Sequence, residues 1–202
     1  MAFFDWAAPA FGAFADRWSP QRIEEIAGRL RPFLSERSAV LDLGGGTGAL
    51  AARLAEALPA HVTVLDPTPA MERYVPTHPD VTAVLGSAEL IPFDDDTFDA
   101  VVISDAFHHF RDQDAAVRQL VRVLRFGGAL FITEYDRRGL MRFVVWAERM
   151  LGEPGAFFSP DELCAYLEDR GVAGSCTKRS GISYDFLGAS TPAVADSPGA
   201  NS

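Results

Sequence analysis

Asp42-Leu43-Gly44-Gly45-Gly46-Thr47-Gly48 sets a carboxylate two residues ahead of a run of glycines, between a β-branched segment and a helical pattern. Glycines at a strand-to-helix junction permit a tight turn with unusual φ and let a ligand lie against bare backbone, while the helix start beyond them offers N–H groups. Gly44-x-Gly46-x-x-Ala49 also satisfies the fingerprint of dinucleotide-binding turns, and Asp66 falls at the end of the next strand, where an acid would bind a ribose. Asp42 separates the two readings. A carboxylate at the mouth of the turn repels a pyrophosphate but suits a ligand that carries an ammonium or sulfonium cation.

His108-His109 is the second chemical feature. A histidine titrates near neutrality and can take a proton from a hydroxyl, so both are candidate catalytic residues; the bland alternative has one ring packed and the other solvated. Adjacent histidines on one loop are poor joint metal ligands without a third group at suitable spacing, so no metal site is expected. Asp94-Asp95-Asp96 reads as a solvated turn. Cys164 and Cys176, the only two cysteines, have neither zinc-like partners nor a CxxC spacing, so neither a disulfide framework nor a metal site is indicated and a reducing, cytoplasmic location is expected.

The elements that must position these residues alternate along 40–133. Val40–Leu43, Val62–Leu65, Val81–Leu85, Phe98–Ile103 and Ala129–Thr133 read as strands, apolar enough to be buried on both faces. Between them lie helical patterns: Leu50, Leu54 and Leu58; a short piece over Ala70–Val75; and Val117, Leu120, Val121 and Leu124 on one face, stopped by Gly127-Gly128. Repeated β-α-β with short connections predicts a Rossmann-like, doubly wound α/β fold around a mostly parallel sheet. Ser19-Pro20 starts a preceding helix with Ile23, Ile26 and Leu30 on its buried face. Leu140–Leu151 predicts a helix apolar around its circumference, read either as core or as a cover over a hydrophobic substrate. Ser159-Pro160-Asp161-Glu162 is a capping box that opens a helix through Leu167, and segments near Ser175–Lys178 and Ile182–Leu187 predict a closing antiparallel hairpin, giving about seven strands with the last antiparallel.

These motifs carry a resemblance. Val40–Gly48 resembles motif I of the class I S-adenosylmethionine-dependent methyltransferases, and Asp66 matches the acid that ends their second strand. Gly86–Phe93 with Thr97–Val101, Ser104–Phe110, and Val123–Gly128 follow in the order seen in the methyltransferase type 11 group, which includes quinone-biosynthesis methyltransferases. The resemblance implies S-adenosylmethionine as cofactor, with Gly44, Gly46 and Gly48 around its methionine part and Asp42 near its amino group. It further implies Asp66 on the ribose hydroxyls, Pro67 and Met71 along the adenine, Ser87, Ala88 and Glu89 at the ring's edge, and Ser104 near the reactive methyl. Two departures stand out: Phe126 replaces the proline of the usual Pro-Gly-Gly turn, and Phe11-Gly12 stands where the family has a tyrosine-aspartate pair.

Composition narrows the partners. The chain has 202 residues, 18 basic against 28 acidic, a net charge of −10, and Lys178 as its only lysine. Spread arginines in an acidic chain do not make a phosphate-neutralising surface, so nucleic acid and anionic lipid are disfavoured; the resemblance implies a small-molecule methyl acceptor, and the N-terminal aromatics and the apolar 140–151 helix as its walls suit an apolar or aromatic one. No apolar run reaches the length needed to span a bilayer. Met1–Ala15 lacks an early basic residue and is broken by Asp5, Pro9 and Gly12, so it reads as an amphipathic segment rather than a signal peptide. The expected organisation is an aromatic and helical cap over 1–36, with Phe3, Phe4, Trp6, Phe11, Phe14 and Trp18, then a cofactor-binding domain over 37–188 whose residues 139–158 cover the substrate, then a disordered tail over 189–202. An NAD(P)-dependent oxidoreductase and a non-catalytic cofactor-binding scaffold are the competing readings.

Overall fold

The computed structural model describes residues 18–136, 157–179 and 183–191. A seven-stranded sheet forms its centre, in the spatial order β3-β2-β1-β4-β5-β7-β6. The strands are β1 (Ser38–Leu43), β2 (Ala60–Asp66), β3 (Val81–Leu85), β4 (Phe98–Ser104), β5 (Leu124–Tyr135), β6 (Val172–Lys178) and β7 (Ser183–Ser190). The first five pair in parallel, while β7 runs antiparallel to both β5 and β6. The helices are α1 (Pro20–Leu30), α2 (Ala49–Ala57), α3 (Pro69–Glu72), α4 (Gln113–Val123) and α5 (Pro160–Glu168). The expected Rossmann-like architecture is what the chain adopts.

Strand alternation builds two cores, one on each face. Val40, Val62, Val64, Ala100, Val102, Ala129 and Phe131 pack against Ile23, Ile26 and Leu30 of α1 and Leu50 and Leu54 of α2. Leu41, Leu43, Leu65, Val101, Ile103, Leu130 and Ile132 pack against Val117 and Leu120 of α4 and Leu163 and Leu167 of α5. Both faces are covered, which is why the central strands are almost continuously apolar. Local signals set the helix starts as the sequence predicts. The Ser19 hydroxyl accepts from the Arg22 amide at 3.2 Å, and the Glu162 carboxylate accepts from the Ser159 amide at 2.8 Å and its hydroxyl at 2.7 Å.

Leu124 corrects one expectation. It does not extend the helical face of Val117 and Leu120: α4 ends at Val123, and Leu124 is extended and pairs with Phe98. The Arg125 side chain draws the segment outward, donating to the Asp96 carbonyl at 2.9 Å and to the Asp99 carboxylate at 2.5 Å. Gly127, at φ 73°, then makes a bulge inside a longer β5, and a side chain on Gly128 would lie 2.8 Å from the Arg125 carbonyl. The glycine pair therefore shapes a strand rather than stopping a helix. Phe126 is 72% exposed on this bulge.

Two further boundaries differ. α3 is limited to Pro69–Glu72, and β7 runs to Ser190, past the 189 expected to begin the tail. The expected cover helix over 140–151, the N-terminal aromatics up to Phe14 with Phe11-Gly12, and the Ser180-Gly181 connection lie outside the described residues. Among the described residues no helix is long and apolar enough to cross a membrane.

α1 is fastened to the far side of the sheet by a buried polar lock. Arg22, 6% exposed, donates to Asp185 of β7 through both terminal nitrogens, at 2.9 and 2.6 Å, and to the Thr133 hydroxyl of β5 at 2.9 Å. Thr133 in turn donates to Asp185, and Arg29 reaches the same carboxylate at 3.4 Å.

Candidate functional site

Parallel strands end together, and the expected site residues lie where β1, β2 and β4 finish. The turn after β1 is held from both sides. Gly44 donates to the Leu65 carbonyl at 2.7 Å, and a side chain on Gly44 would lie 2.7 Å from the Ala106 methyl, so the turn also abuts the loop after β4. Gly44, Gly46 and Gly48 all have positive φ, at 74°, 54° and 68°. Gly45 is excluded from carrying a side chain by different means: its Cβ would lie 2.6 Å from the Asp42 carboxylate. Around Gly46 the situation reverses. A Cβ there would meet nothing within 4 Å, which leaves an open cradle lined by backbone.

Asp42 is wholly buried, and neither of its carboxylate oxygens has a hydrogen-bond partner among the described residues. Burial, and then the charge of Asp66, push it up to about 7, while the nearby Ala51 amide offsets this only in part and makes no well-formed bond. A buried acceptor left without a donor is costly unless something arrives to satisfy it. Asp66 is better provided for. It accepts from the Gly46 amide at 3.0 Å and the Thr68 amide at 2.9 Å, although burial still raises it above the usual carboxylate range. Gly46, Asp66 and Thr68, with Glu72, Val75 and Leu85, border a shallow, open cleft at the ends of β2 and β3.

The remaining expected contacts divide. Met71 is buried, Pro67 is exposed, and the Ala88 methyl belongs to the core on the α4 side, so Ala88 presents backbone. Ser87 closes a turn by accepting from the Leu90 amide through its carbonyl. Glu89 has one oxygen committed elsewhere, taking the Arg111 amide at 2.9 Å, which anchors the loop after the two histidines. Ser104 ends β4 opposite Thr133, and Asp105 follows it at φ 49°, a left-handed conformation that aspartate tolerates. Asp95 pairs with Arg122 at 2.8 Å on the surface, in keeping with a solvated turn.

The two histidines differ sharply. His108 is 6% exposed, and its Nδ1 lies 3.0 and 2.8 Å from the two oxygens of Glu134 at the end of β5. The Glu134 carboxylate also takes the His108 amide at 3.3 Å, so side chain and backbone are fixed by one group. The His108 ring stacks on Phe157, with centroids 4.2 Å apart and planes at 18°, and lies against His109 on its way out to solvent. Burial and the neighbouring His108 pull the His109 imidazole below its usual range. Phe107, Phe110, Phe158 and Tyr166 form a separate ring cluster that packs with the core on the α4 and α5 side. Glu134 and Phe157 had no signal in the sequence, because only the β4–β5 register and the return of the chain before α5 bring them to His108.

Comparison with known proteins follows the same outline. A family model described as a methyltransferase domain matches residues 41–132. An uncharacterized methyltransferase of Mycobacterium tuberculosis is 39% identical over 137 residues, 66% of this chain and 54% of that one. The ubiquinone/menaquinone biosynthesis C-methyltransferase of Shewanella frigidimarina is 32% identical over 157 residues, 71% of this chain and 60% of that protein. The chain thus spans little more than half the length of these relatives. A solved methyltransferase structure from Thermotoga maritima shares the fold with a TM-score of 0.71 at 18% identity, over 93% of this chain and 98% of that one.

The 3-2-1-4-5-7-6 sheet with a glycine turn after β1 and an acid closing β2 defines the class I methyltransferase architecture. Within that architecture, residues 41–132 match the methyltransferase-domain family, and the chain is similar to methyltransferases that include a quinone-biosynthesis enzyme.

Proposed function

We propose that the protein transfers a methyl group from S-adenosylmethionine to oxygen, nitrogen or carbon of a small apolar or aromatic acceptor. The observation that carries this reading is Asp42, a fully buried carboxylate with no donor among the described residues, beside the open backbone at Gly46. Such a group fits the cofactor's ammonium, which would supply both the missing hydrogen bonds and the opposite charge. It fits a pyrophosphate poorly, which counts against the NAD(P) reading.

When bound, the cofactor supplies an electrophilic methyl group on a sulfonium. The chain's own residues then bind and orient. Asp42 holds the amino group, Gly44, Gly46 and Gly48 border the methionine part, and Asp66 has remaining lone pairs for the ribose hydroxyls. Pro67, Met71, Ser87 and Ala88 frame the adenine, with Glu89 contributing through the oxygen it does not spend on the Arg111 amide. Ser104 stands near the reactive end. In-line displacement draws much of its acceleration from proximity and alignment, so positioning is the larger part of the task. Where the acceptor loses a proton, His108, held by Glu134, is the group to take it, and His109, pulled below its usual range, is the weaker base of the two. Phe157, stacked on His108, supports an apolar or aromatic acceptor, and the likeness to a quinone C-methyltransferase supports including ring acceptors of that kind.

Calorimetry with S-adenosylhomocysteine and with NAD(P)H, followed by methyl-transfer assays across phenolic, quinol and amine acceptors, tests the reading. Homocysteine-product binding with turnover is the expected outcome. Nicotinamide-cofactor binding without it would replace the reading by an oxidoreductase, and binding with no turnover on any acceptor would favour a scaffold.

A further inference from the structure

Cys164 on α5 and Cys176 on β6 face one another with sulfurs 2.7 Å apart, although the chain carries no other cysteine and their spacing of 12 residues gives no redox motif. Both thiols are reduced and partly exposed. They form a short relay in which Cys164 donates to the Cys176 sulfur and Cys176 donates to the Pro160 carbonyl, at 3.1 Å, in the first turn of α5. The sulfurs are closer than a non-bonded pair of thiols needs to be and not yet at the roughly 2.05 Å of a disulfide. Two cysteines in such register on adjacent elements need almost no backbone movement to bond.

We propose that Cys164 and Cys176 constitute a thiol–disulfide modification site, oxidised by small disulfides and reversed by small thiols, that staples α5 to β6. Cys164 attacks first, because burial and the Cys164 contact push the Cys176 thiol up and leave it protonated. The Cys164 thiolate displaces one thiolate from the small disulfide and forms a mixed disulfide. Cys176 then gives its proton to the departing thiolate and attacks the Cys164 sulfur, releasing the second. Two protein thiols become one disulfide while the small disulfide is reduced to two thiols, so electrons and protons balance. The bond ties the second turn of α5, at Cys164, to β6, and replaces the hydrogen bond that the Cys176 thiol donates to the Pro160 carbonyl.

The full chain is incubated with oxidised glutathione, and intact mass and iodoacetamide labelling are read before and after dithiothreitol. The expected result is a monomer lighter by two hydrogens, with both cysteines protected from alkylation, a melting temperature raised by about 5–10 °C, and full reversal on reduction. Cys164→Ser and Cys176→Ser variants should lose the protection and the thermal shift while keeping the melting temperature of the reduced protein. A stable glutathione adduct on either cysteine, a disulfide-linked dimer, or both cysteines remaining alkylatable would overturn the proposal.

Discussion

Asp42 concentrates the tension between stability and function at a single residue. Its native value of about 7, against 3.8 for an exposed aspartate, means that the folded chain holds a proton that the unfolded chain has released between those two values. The stability it contributes is therefore fully present below about pH 4 and is lost as pH rises through 7, on the order of 3–4 kcal/mol in all. Asp42→Asn removes the buried charge, so it should stabilise the ligand-free protein by roughly 2–4 kcal/mol at pH 8 while weakening S-adenosylhomocysteine binding at least tenfold. Denaturant titration and calorimetry on the same variant check both signs. Neighbouring glycines should separate similarly. Gly45→Ala drives a methyl into the Asp42 carboxylate and costs about 1–3 kcal/mol of stability. Gly46→Ala meets no protein atom, so it should cost only about 1 kcal/mol through its positive φ but reduce cofactor affinity sharply. His108→Ala should lower turnover by about a hundredfold, and Glu134→Gln by at least tenfold, with cofactor affinity little changed, on an acceptor that loses a proton. Loss of stability with unaltered turnover would reduce the pair to packing.

Among elements, α1 tests how the attached helix is held. Its apolar face was legible, since Ile23, Ile26 and Leu30 follow helical spacing and Ser19-Pro20 marks its start. Its polar fastening was not. Asp185 lies 163 residues from Arg22, and only the β5–β7 register, which sets Thr133 opposite Asp185, brings a carboxylate under α1. Asp185→Ala leaves the buried Arg22 with only the half-exposed Glu25 carboxylate at 3.4 Å and should cost about 3 kcal/mol, whereas replacing both Arg22 and Asp185 by apolar residues of similar volume should recover much of that loss. Thermal denaturation of the two variants distinguishes the outcomes. The same limit applies to Leu124 and Cys164. Local pattern placed Leu124 on a helix because its spacing from Val117 and Leu120 is helical, but Arg125 and the Gly127 bulge, acting through β4, extend it. The cysteines read as unrelated because adjacency across α5 and β6 leaves no trace in spacing.

For the molecule as a whole, the fold was largely readable because it rests on period and punctuation: apolar runs buried on both faces, and turns that demand glycine or a capping side chain. The cofactor side shares that legibility, since Asp42, the glycines and Asp66 sit within one βαβ unit of the chain. The proposed acceptor side does not, because His108, Glu134 and Phe157 come from the ends of β4 and β5 and the approach to α5. His108 was visible there only as a titratable residue, and its partner Glu134 only after the strands were paired. The acidic net charge falls into place on this scale. The proposed cofactor roles use Asp42 and Asp66, whereas Asp95, Asp99 and Asp114 pair with surface arginines.

Calorimetric titration of S-adenosylhomocysteine into the wild-type chain and into Asp42→Asn, repeated from pH 5.5 to about pH 8.5, bears most directly on the claim that a buried carboxylate awaits a cationic ligand. The wild-type affinity should rise through pH 7 as Asp42 ionises, with protons released on binding below that point, and the Asn variant should bind weakly with neither dependence. A wild-type affinity that is flat across this range, or equal in the variant, would contradict it.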